Sequence, residues 1–277
     1  MNKIHKILIG IAFSPNLKSN LFEAVRMANM FDAQLICVHV GAESAQKKED
    51  LLKLLNGAEP LKRTFKVIWQ TGKPVDVILK TCIQEQIDLL ILGALQQENL
   101  LKYYVGSIAR ELTRKAPCSV LLMIKPSIVR VPCKNIVVNG LHDTKTAKTI
   151  ETAFHFSKQL NCKKVTIVEE VSQSELHVEV NDDRTLRKST IVKERIKNRE
   201  DLRVKNILKD IDSDGITVKM QSIFGRRGYS IGHYAKVKRA DLLVMNAPDK
   251  TRFIDRIFPH DIEYILSELP TDVLVVK

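Results

Sequence analysis

The feature that most constrains this chain is an internal repeat. Thr64–Met123, shifted by 153 positions, aligns with Thr217–Val276 without a gap. Lys6–Ile9 likewise corresponds to Asn135–Val138, at a shift of 129. Chance is a poor explanation for a gapless match of this length, and a long period indicates two copies of one structural unit. Identical residues in the two copies include Thr64/Thr217, Lys66/Lys219, Gly72/Gly225, Ile78/Ile231, Asp88/Asp241, Leu89/Leu242, Leu90/Leu243, Pro117/Pro270, Val120/Val273 and Leu121/Leu274.

The repeat predicts where the domains begin and end. We expect two homologous domains at residues 1–125 and 133–277, joined by a short linker. Because the two shifts differ by 23 or 24 residues, copy two carries an insertion, which we place near residues 172–210.

The insertion is strongly basic. Its segment Arg184–Lys209 holds ten Lys and Arg residues and three acidic residues, in a chain whose net charge is +12. No aromatic residue lies in this segment to stack on bases, so nucleic acid is not the expected partner. Two interpretations stay open: a solvated helix, and a surface that binds a polyanion.

Within each copy, apolar runs alternate with segments of helical periodicity. Continuously apolar strands are expected where helices cover both faces of a parallel sheet. The predicted fold class is therefore α/β, with two repeated doubly wound parallel-sheet domains of Rossmann-like type. In copy one the predicted strands are Lys6–Ala12, Leu35–Val40, Thr64–Trp69, Leu89–Leu92 and Ser119–Ile124, with helices after the first strand, after Gly72-Lys73-Pro74 and from Ser107 to Lys115.

Composition excludes several classes of protein. Hydrophobic residues are 44% and charged residues 27%, which is ordinary for a globular chain rather than a disordered one. The apolar runs are far shorter than the ~20 residues of a membrane span, and no A-x-A-like signal cleavage site follows the first residues. The five cysteines include no C-x-x-C pair, so neither a disulfide framework nor a metal site is expected. We expect a soluble cytoplasmic protein.

The loop after the fourth strand of copy one is the candidate for ligand chemistry. Gly93 lets the backbone pass close to a ligand, and nine residues separate Gln96 from Gly106-Ser107. These last two residues open a helix whose free N–H groups and dipole favour an anion. Ser107 is expected to cap that helix and to offer its hydroxyl to a phosphate oxygen. A plain helix start is the other interpretation.

At these residues both copies resemble the universal stress protein family, and the whole chain looks like a tandem, two-domain member. The nucleotide-binding branch of that family carries G-x2-G-x9-G-[S/T], which this sequence matches at Gly93, Gly106 and Ser107. Pro117–Leu122 is similar to the closing P-C-x-V-L-V strand of the family. The resemblance implies an adenine nucleotide, ATP or AMP, in copy one. It implies contacts from Val40, Leu92, Gly93, Gly106, Ser107, Ile108 and Ala109.

Copy one departs from the family pattern at two positions. Gln96 replaces the middle glycine, and Ala12 stands where the family usually has an aspartate that contacts the nucleoside. Losing that aspartate removes one charge-assisted hydrogen bond, roughly 1.5–3 kcal/mol or ten- to a hundredfold in affinity. Weak or AMP-like binding and firm ATP binding both stay open.

Copy two departs further. Asn246 and Asp249 replace the first two glycines, Pro259-His260 replaces the Gly-Ser pair, and Leu141 occupies the aspartate position. Proline has no N–H to donate, and Asp249 would repel a phosphate. We expect copy two to bind no ATP in the family manner.

The expected function is that of a non-catalytic stress-response regulator, since no general base is placed for an enzyme. The alternative is a nucleotide-free protein that binds an acidic partner through its basic insertion. The resemblance implies that the last strands of the two copies, Ser119–Ile124 and Val273–Val276, pair as an intrachain pseudo-dimer. A homo-oligomer is left open, and no membrane partner is expected.

Overall fold

The structure is a computed structural model that describes residues 3–96, 103–172, 182–248 and 261–277. By spatial proximity the chain divides into two compact units. The first comprises the residues up to Pro132, a short segment that begins at Ala247, and Leu266–Lys277 at the end of the chain. The second comprises Cys133–Asn246 and the segment that ends at Ile265.

The first unit is built around a mostly parallel sheet. Its strands lie in the order β3-β2-β1-β4-β7-β12, and every neighbouring pair is parallel except the last. Its elements are β1 (Lys6–Ile11), α1 (Leu17–Phe31), β2 (Gln34–Val40), α2 (Ala45–Asn56), β3 (Phe65–Gln70), α3 (Pro74–Gln84), β4 (Leu89–Gly93), β5 (Leu95–Gln96), β6 (Tyr103–Tyr104), α4 (Ser107–Lys115), β7 (Ser119–Met123) and β12 (Asp272–Val276).

The second unit repeats the same order of strands. Its parallel sheet runs β10-β9-β8-β11 and is the counterpart of β3-β2-β1-β4. Shifting by 153 positions carries β4 onto β11 and β7 onto β12 residue for residue. Its elements are β8 (Ile136–Asn139), α5 (Thr146–Leu160), β9 (Lys164–Ser172), α6 (Asp183–Leu208), β10 (Thr217–Gly225), α7 (Tyr229–Val237) and β11 (Leu242–Asn246), and α8 (Asp261–Ser267) follows.

Apolar strands form the core of each unit, as the runs in the sequence predict. Leu8 of β1, Leu90 of β4 and Val137 of β8 are fully buried, because helices cover both faces of each sheet. The α/β fold class with doubly wound sheets is thereby confirmed. The closing strand pairs antiparallel with β7, with Leu274 opposite Leu121, as expected for the last strands of the two copies.

Two features of the fold are not predicted from the sequence. α2 was not predicted, because only Leu51 and Leu55 of its twelve residues are buried, which is too few to give a clear periodicity. The nine-residue loop of the motif is also more regular than expected. Its described ends pair as a short antiparallel hairpin, with Leu95 opposite Tyr104.

The basic insertion contains α6, a helix of 26 residues. Asp182 caps its first turn in a capping box with Thr185. Ile196 and Val204 are buried on one face, where Ile196 packs with Val171 of β9. The exposed surface of this segment carries basic residues, which are Arg184, Arg187, Lys188, Arg195, Lys197, Arg199 and Lys205 of the helix and Lys209 at its C-cap. Among the described residues, no helix is both long enough and apolar enough to cross a membrane.

Candidate functional site

The candidate site of the first unit lies where the order of its strands reverses. β1 has β2 on one side and β4 on the other, and ligands of doubly wound sheets bind at the carboxyl ends of strands at such a point. Ala12 follows β1 and is exposed, while Gly93 ends β4 and is also exposed. Two of the positions singled out by sequence therefore flank the switch point.

The β5–β6 hairpin accounts for the spacing of the glycine motif. Leu95 pairs with Tyr104 across the hairpin, so Gly93 and Gly106 each lie two residues outside the same pair. The hairpin thus brings both glycines back to the edge of the sheet. Gln96 lies in β5, and neither Gln96 nor the two glycines has a positive φ. The glycine that the family has at position 96 is not needed for backbone conformation here.

The N-terminus of α4 presents donors at this edge. Gly106 is the N-cap, with φ −61° and ψ 162°, and the N–H of Arg110 donates to its carbonyl at 2.9 Å. Helix geometry leaves the N–H groups of Ser107, Ile108 and Ala109 without an intrahelical acceptor. Together with the helix dipole, these three groups form an arrangement suited to a phosphate.

The expectation that Ser107 caps this helix is wrong. Ser107 is the first helical residue, one position past the N-cap, and no side chain caps the helix. A residue at that position has helical φ and ψ, and its side chain points away from the N–H groups to which a cap residue would bond. The hydroxyl of Ser107 is exposed and remains available to a ligand.

Asn20 on α1 is a site residue that the sequence analysis missed. A Cβ added to Gly93 would lie 3.1 Å from the Asn20 side-chain amide. The glycine is therefore explained by the close approach of this amide. The Oδ1 atom of Asn20 is buried and has no hydrogen-bond partner among the described residues. A lone asparagine on a helix gives no sequence signal, because only the fold brings it to Gly93.

An aromatic cluster covers the carboxyl ends of β1, β2 and β3, and it too was missed. Phe13, His39 and Trp69 are in mutual contact, with ring centroids 4.9–6.4 Å apart. His39 is buried, and its Nδ1 lies 2.9 Å from the Ile11 carbonyl, which assigns the ring proton to Nδ1. Lys47 lies 3.5 Å from its Nε2 and over the Phe13 ring.

The remaining predicted residues occupy the same edge. Val40 ends β2, is half-buried, and lies one residue beyond the pair of Ile11 and His39. Leu92 of β4 is buried, so its side chain lies in the core rather than on the surface. The structure thus places all seven predicted residues on strands β2 and β4 or at the start of α4.

Comparison with known proteins bears on the family and the fold. The sequence profile of the universal stress protein family matches residues 3–123. Residues 3–123 are a universal stress protein domain. A universal stress protein from Methanothermobacter thermautotrophicus is 28% identical over 74 residues, which are 27% of this chain and 50% of that protein. The match therefore spans half the length of that relative.

Solved structures show the same fold over almost the whole chain. A functionally unknown protein from Pseudomonas aeruginosa superposes with a TM-score of 0.69 at 17% identity, covering 99% of this chain and 92% of its own. A universal stress protein from Archaeoglobus fulgidus superposes with a TM-score of 0.69 at 16% identity, covering 98% and 96%. Identities this low establish the fold of both units and nothing finer.

At the corresponding edge of the second unit, the described residues differ from those of the first. Asn246, at the end of β11, donates from its Nδ2 to the Thr146 hydroxyl at 3.2 Å. Leu141 is half-buried in the loop after β8. Asp249, Pro259 and His260 lie outside the described residues. In the described part of the chain, no three His, Cys, Asp or Glu residues gather to hold a metal ion.

Proposed function

We propose that this chain is a tandem universal stress protein that acts as a non-catalytic regulator in the cytoplasm. Its domains are residues 1–125 and 133–277, and the first binds an adenine nucleotide, ATP or AMP, with low affinity. The family supports a role in the stress response. The pairing of β7 with β12 supports the pseudo-dimer, because one chain then supplies both closing strands.

The start of α4 is the observation that carries the nucleotide proposal. Three consecutive backbone N–H groups, of Ser107, Ile108 and Ala109, are free at the start of α4, and the pairing of β5 with β6 brings the chain back toward the end of β4. A phosphate there would accept hydrogen bonds from these N–H groups, for which the helix itself has no acceptor. The nucleoside would extend toward Asn20, whose buried Oδ1 accepts a hydrogen bond from a ribose hydroxyl in this proposal.

Low affinity follows from the residue that comes directly after β1. Ala12 offers no carboxylate to the ribose, and the amide of Asn20 is a weaker acceptor than a charged group. In the neighbouring aromatic cluster Phe13 is 39% exposed, Trp69 is half-buried and His39 is buried, so little ring surface is free to stack on adenine.

A binding role, rather than catalysis, is supported by the histidine at this edge. Both ring nitrogens of His39 are engaged, one with the Ile11 carbonyl and one with Lys47. A general base needs a nitrogen that reaches the substrate proton.

The nucleotide proposal can be tested by placing a proline directly after the N-cap Gly106. Gly106 already has the extended conformation required before a proline, and the first helical position favours proline. Ser107→Pro therefore removes one N–H donor and the hydroxyl while preserving α4, whereas Ser107→Ala removes the hydroxyl alone. We expect calorimetric titration with AMP and ATP to show one site per chain in the wild type. Affinity should fall about ten- to a hundredfold in Ser107→Pro and less in Ser107→Ala.

The control is the same change at the start of another helix. Asp183 is the first residue of α6 in the second unit, and its N-cap Asp182 is also extended. Asp183→Pro should leave nucleotide affinity unchanged. Equal affinities for wild type and Ser107→Pro would refute the assignment of the phosphate to α4.

The exposed basic face of α6 favours a second candidate, binding of an acidic protein partner without a nucleotide. Its eight exposed Lys and Arg residues lie on one solvated helix, so attraction to a polyanion should fall steeply with salt. Polyglutamate serves as the probe. We expect Arg187→Glu with Lys188→Glu to weaken its binding, and Lys53→Glu on α2 to have no effect. Salt-independent binding would contradict this candidate.

A further inference from the structure

The second unit contains a polar cavity that the nucleotide proposal does not use. It has a volume of about 180 Å³ and lies at the carboxyl ends of β8 and β9, next to α6. That volume accommodates several waters or one small organic molecule. Its lining is mostly charged and includes His142, Glu169, Arg199, Glu200, Arg203 and Arg227.

Glu169 is the key residue of this cavity. Its side chain is 2% exposed, yet its Oε1 atom has no hydrogen-bond partner among the described residues. The nearest charge on that oxygen is Arg203 at 3.7 Å, beyond hydrogen-bond distance, while Oε2 accepts from the Ser222 hydroxyl at 3.3 Å. Burial raises the pKa of Glu169 to about 7, although Arg203 acts in the opposite direction. A hydrogen-bond donor that enters the cavity and reaches this unpartnered oxygen therefore stabilises the protein.

The arginines of α6 are held in place by a second carboxylate. The Nε atoms of Arg199 and Arg203 donate to the two oxygens of Glu200 at 2.8 and 2.7 Å. Burial works to raise the pKa of Glu200, but these two hydrogen bonds hold it below its usual range. Arg203 also donates to the carbonyl of Gly140. Gly140 must be a glycine, because a Cβ there would lie 2.8 Å from Ile167 and 3.2 Å from Glu169.

Arg199 supplies the complementary charge at the mouth of the cavity. Its side chain is 64% exposed, and its contact with Glu200 uses only Nε. The two Nη groups of the guanidinium have no hydrogen-bond partner among the described residues, and a guanidinium fork can bind a carboxylate through such groups. One cavity thus combines a buried carboxylate oxygen that lacks a donor with a guanidinium that can bind an anion.

We infer that this cavity binds a small zwitterion with an ammonium and a carboxylate group, the chemical class of free α-amino acids. The ammonium donates to Glu169 Oε1, and the carboxylate accepts from Arg199. A neutral polyol could donate to Glu169 Oε1 but would offer no anion to the guanidinium of Arg199. A simple cation would meet the arginines of α6. A zwitterion satisfies both ends of the cavity at once.

The experiment uses the full chain and free amino acids as probes. Thermal shift with each standard amino acid at millimolar concentration, followed by calorimetry on any that stabilise the protein, should identify at least one that binds. Glycine betaine is the matched probe without an N–H donor, and it should bind at least tenfold more weakly than the corresponding amino acid. Glucose and glycerol test the polyol class.

Paired variants connect binding to the cavity. Glu169→Gln and Arg199→Gln should each weaken the amino acid at least tenfold. Glu194→Gln and Arg195→Gln change exposed residues of α6 that do not line the cavity, and they should have no effect. Circular dichroism checks that each variant is folded. The inference fails if no amino acid binds, if only polyols bind, or if both cavity variants bind as the wild type does.

Discussion

The two units order their strands alike, but the residues that end those strands give their carboxyl edges different chemistry. In the first unit this edge carries glycines, an aromatic cluster and the free N–H groups of α4. In the second it carries buried glutamates held between arginines and helix N–H groups. Among the described residues, the edge of the first unit thus presents backbone N–H donors and that of the second presents carboxylates.

Adjacent residues on β9 show how the second edge is built. Successive side chains of a strand point to opposite faces of the sheet. Glu169 therefore faces Arg203 of α6, whereas Glu170 accepts the N–H groups of Gly228 and Ile231 at the start of α7, at 2.8 and 2.7 Å. The same sheet order thus accommodates one edge with free backbone N–H donors and another edge with buried, charged side chains.

The largest effect is expected from breaking the contact between β9 and α7. Glu170→Ala leaves two buried N–H groups without their acceptor, which should destabilise the second unit by about 3 kcal/mol. Native-state hydrogen exchange of β9 and β10 amides measures this locally. The exposed Glu194→Ala should change it by less than about 0.5 kcal/mol. Equal effects of the two variants would show that Glu170 does not anchor α7.

A smaller effect concerns the pH dependence that Glu169 imposes. Its folded pKa of about 7 exceeds its ordinary value of 4.5, so the folded state holds the proton more tightly and the free energy of unfolding falls as pH rises between these values. The groups that set this pKa are Arg203, Glu200 and Asp201 of α6 and Ser222 of β10.

Glu169→Gln mimics the protonated acid and removes this pH dependence. We expect it to be near neutral at about pH 5 and to stabilise the protein by about 2 kcal/mol at about pH 8. Urea denaturation at both pH values measures the difference. A variant with the same pH dependence as the wild type would place the titration elsewhere.

Introducing an aspartate after β1 tests whether the two units differ in their capacity to bind a nucleotide. Ala12→Asp introduces a carboxylate at an exposed position beside the nucleotide site, so AMP affinity should rise about tenfold. Leu141→Asp is the counterpart in the second unit and should create no nucleotide site. Calorimetry measures both, and a gain in Leu141→Asp would undermine the distinction between the two edges.

The smallest effect is expected at the cap of the inserted helix. Asp182→Ala removes the acceptor for the Thr185 N–H, at 2.7 Å, and should cost about 1 kcal/mol. Ser44→Ala at α2, where the cap bond is 3.2 Å and exposed, should cost no more than that. Thermal denaturation followed by circular dichroism measures both changes.

Much of the fold was predictable from the sequence, because the repeat and the apolar runs are long-range and periodic. The fourth and last strands of both copies follow from one shift of 153 positions. α2 was not predictable in this way, since it buries two leucines only. The boundaries of the two domains, 1–125 and 133–277, stay predictions.

The candidate sites were less predictable, because they depend on residues that the fold gathers from distant segments. Gly93 and Gly106 are recognisable by their spacing, whereas Asn20 and Trp69 stand alone in the sequence. The cysteines give another example. Cys133 and Cys162 are 29 positions apart, yet a hydrogen bond from Cys133 lowers the pKa of Cys162 to about 7. No local sequence pattern predicts such a pair of cysteines.

A crystal structure of the protein with AMP would test the central claim most directly, because it distinguishes the two edges in one experiment. We predict the phosphate within hydrogen-bond distance of the Ser107, Ile108 and Ala109 N–H groups, with the ribose toward Asn20. AMP bound at the carboxyl edge of the second unit, or away from α4 in the first, would contradict this assignment.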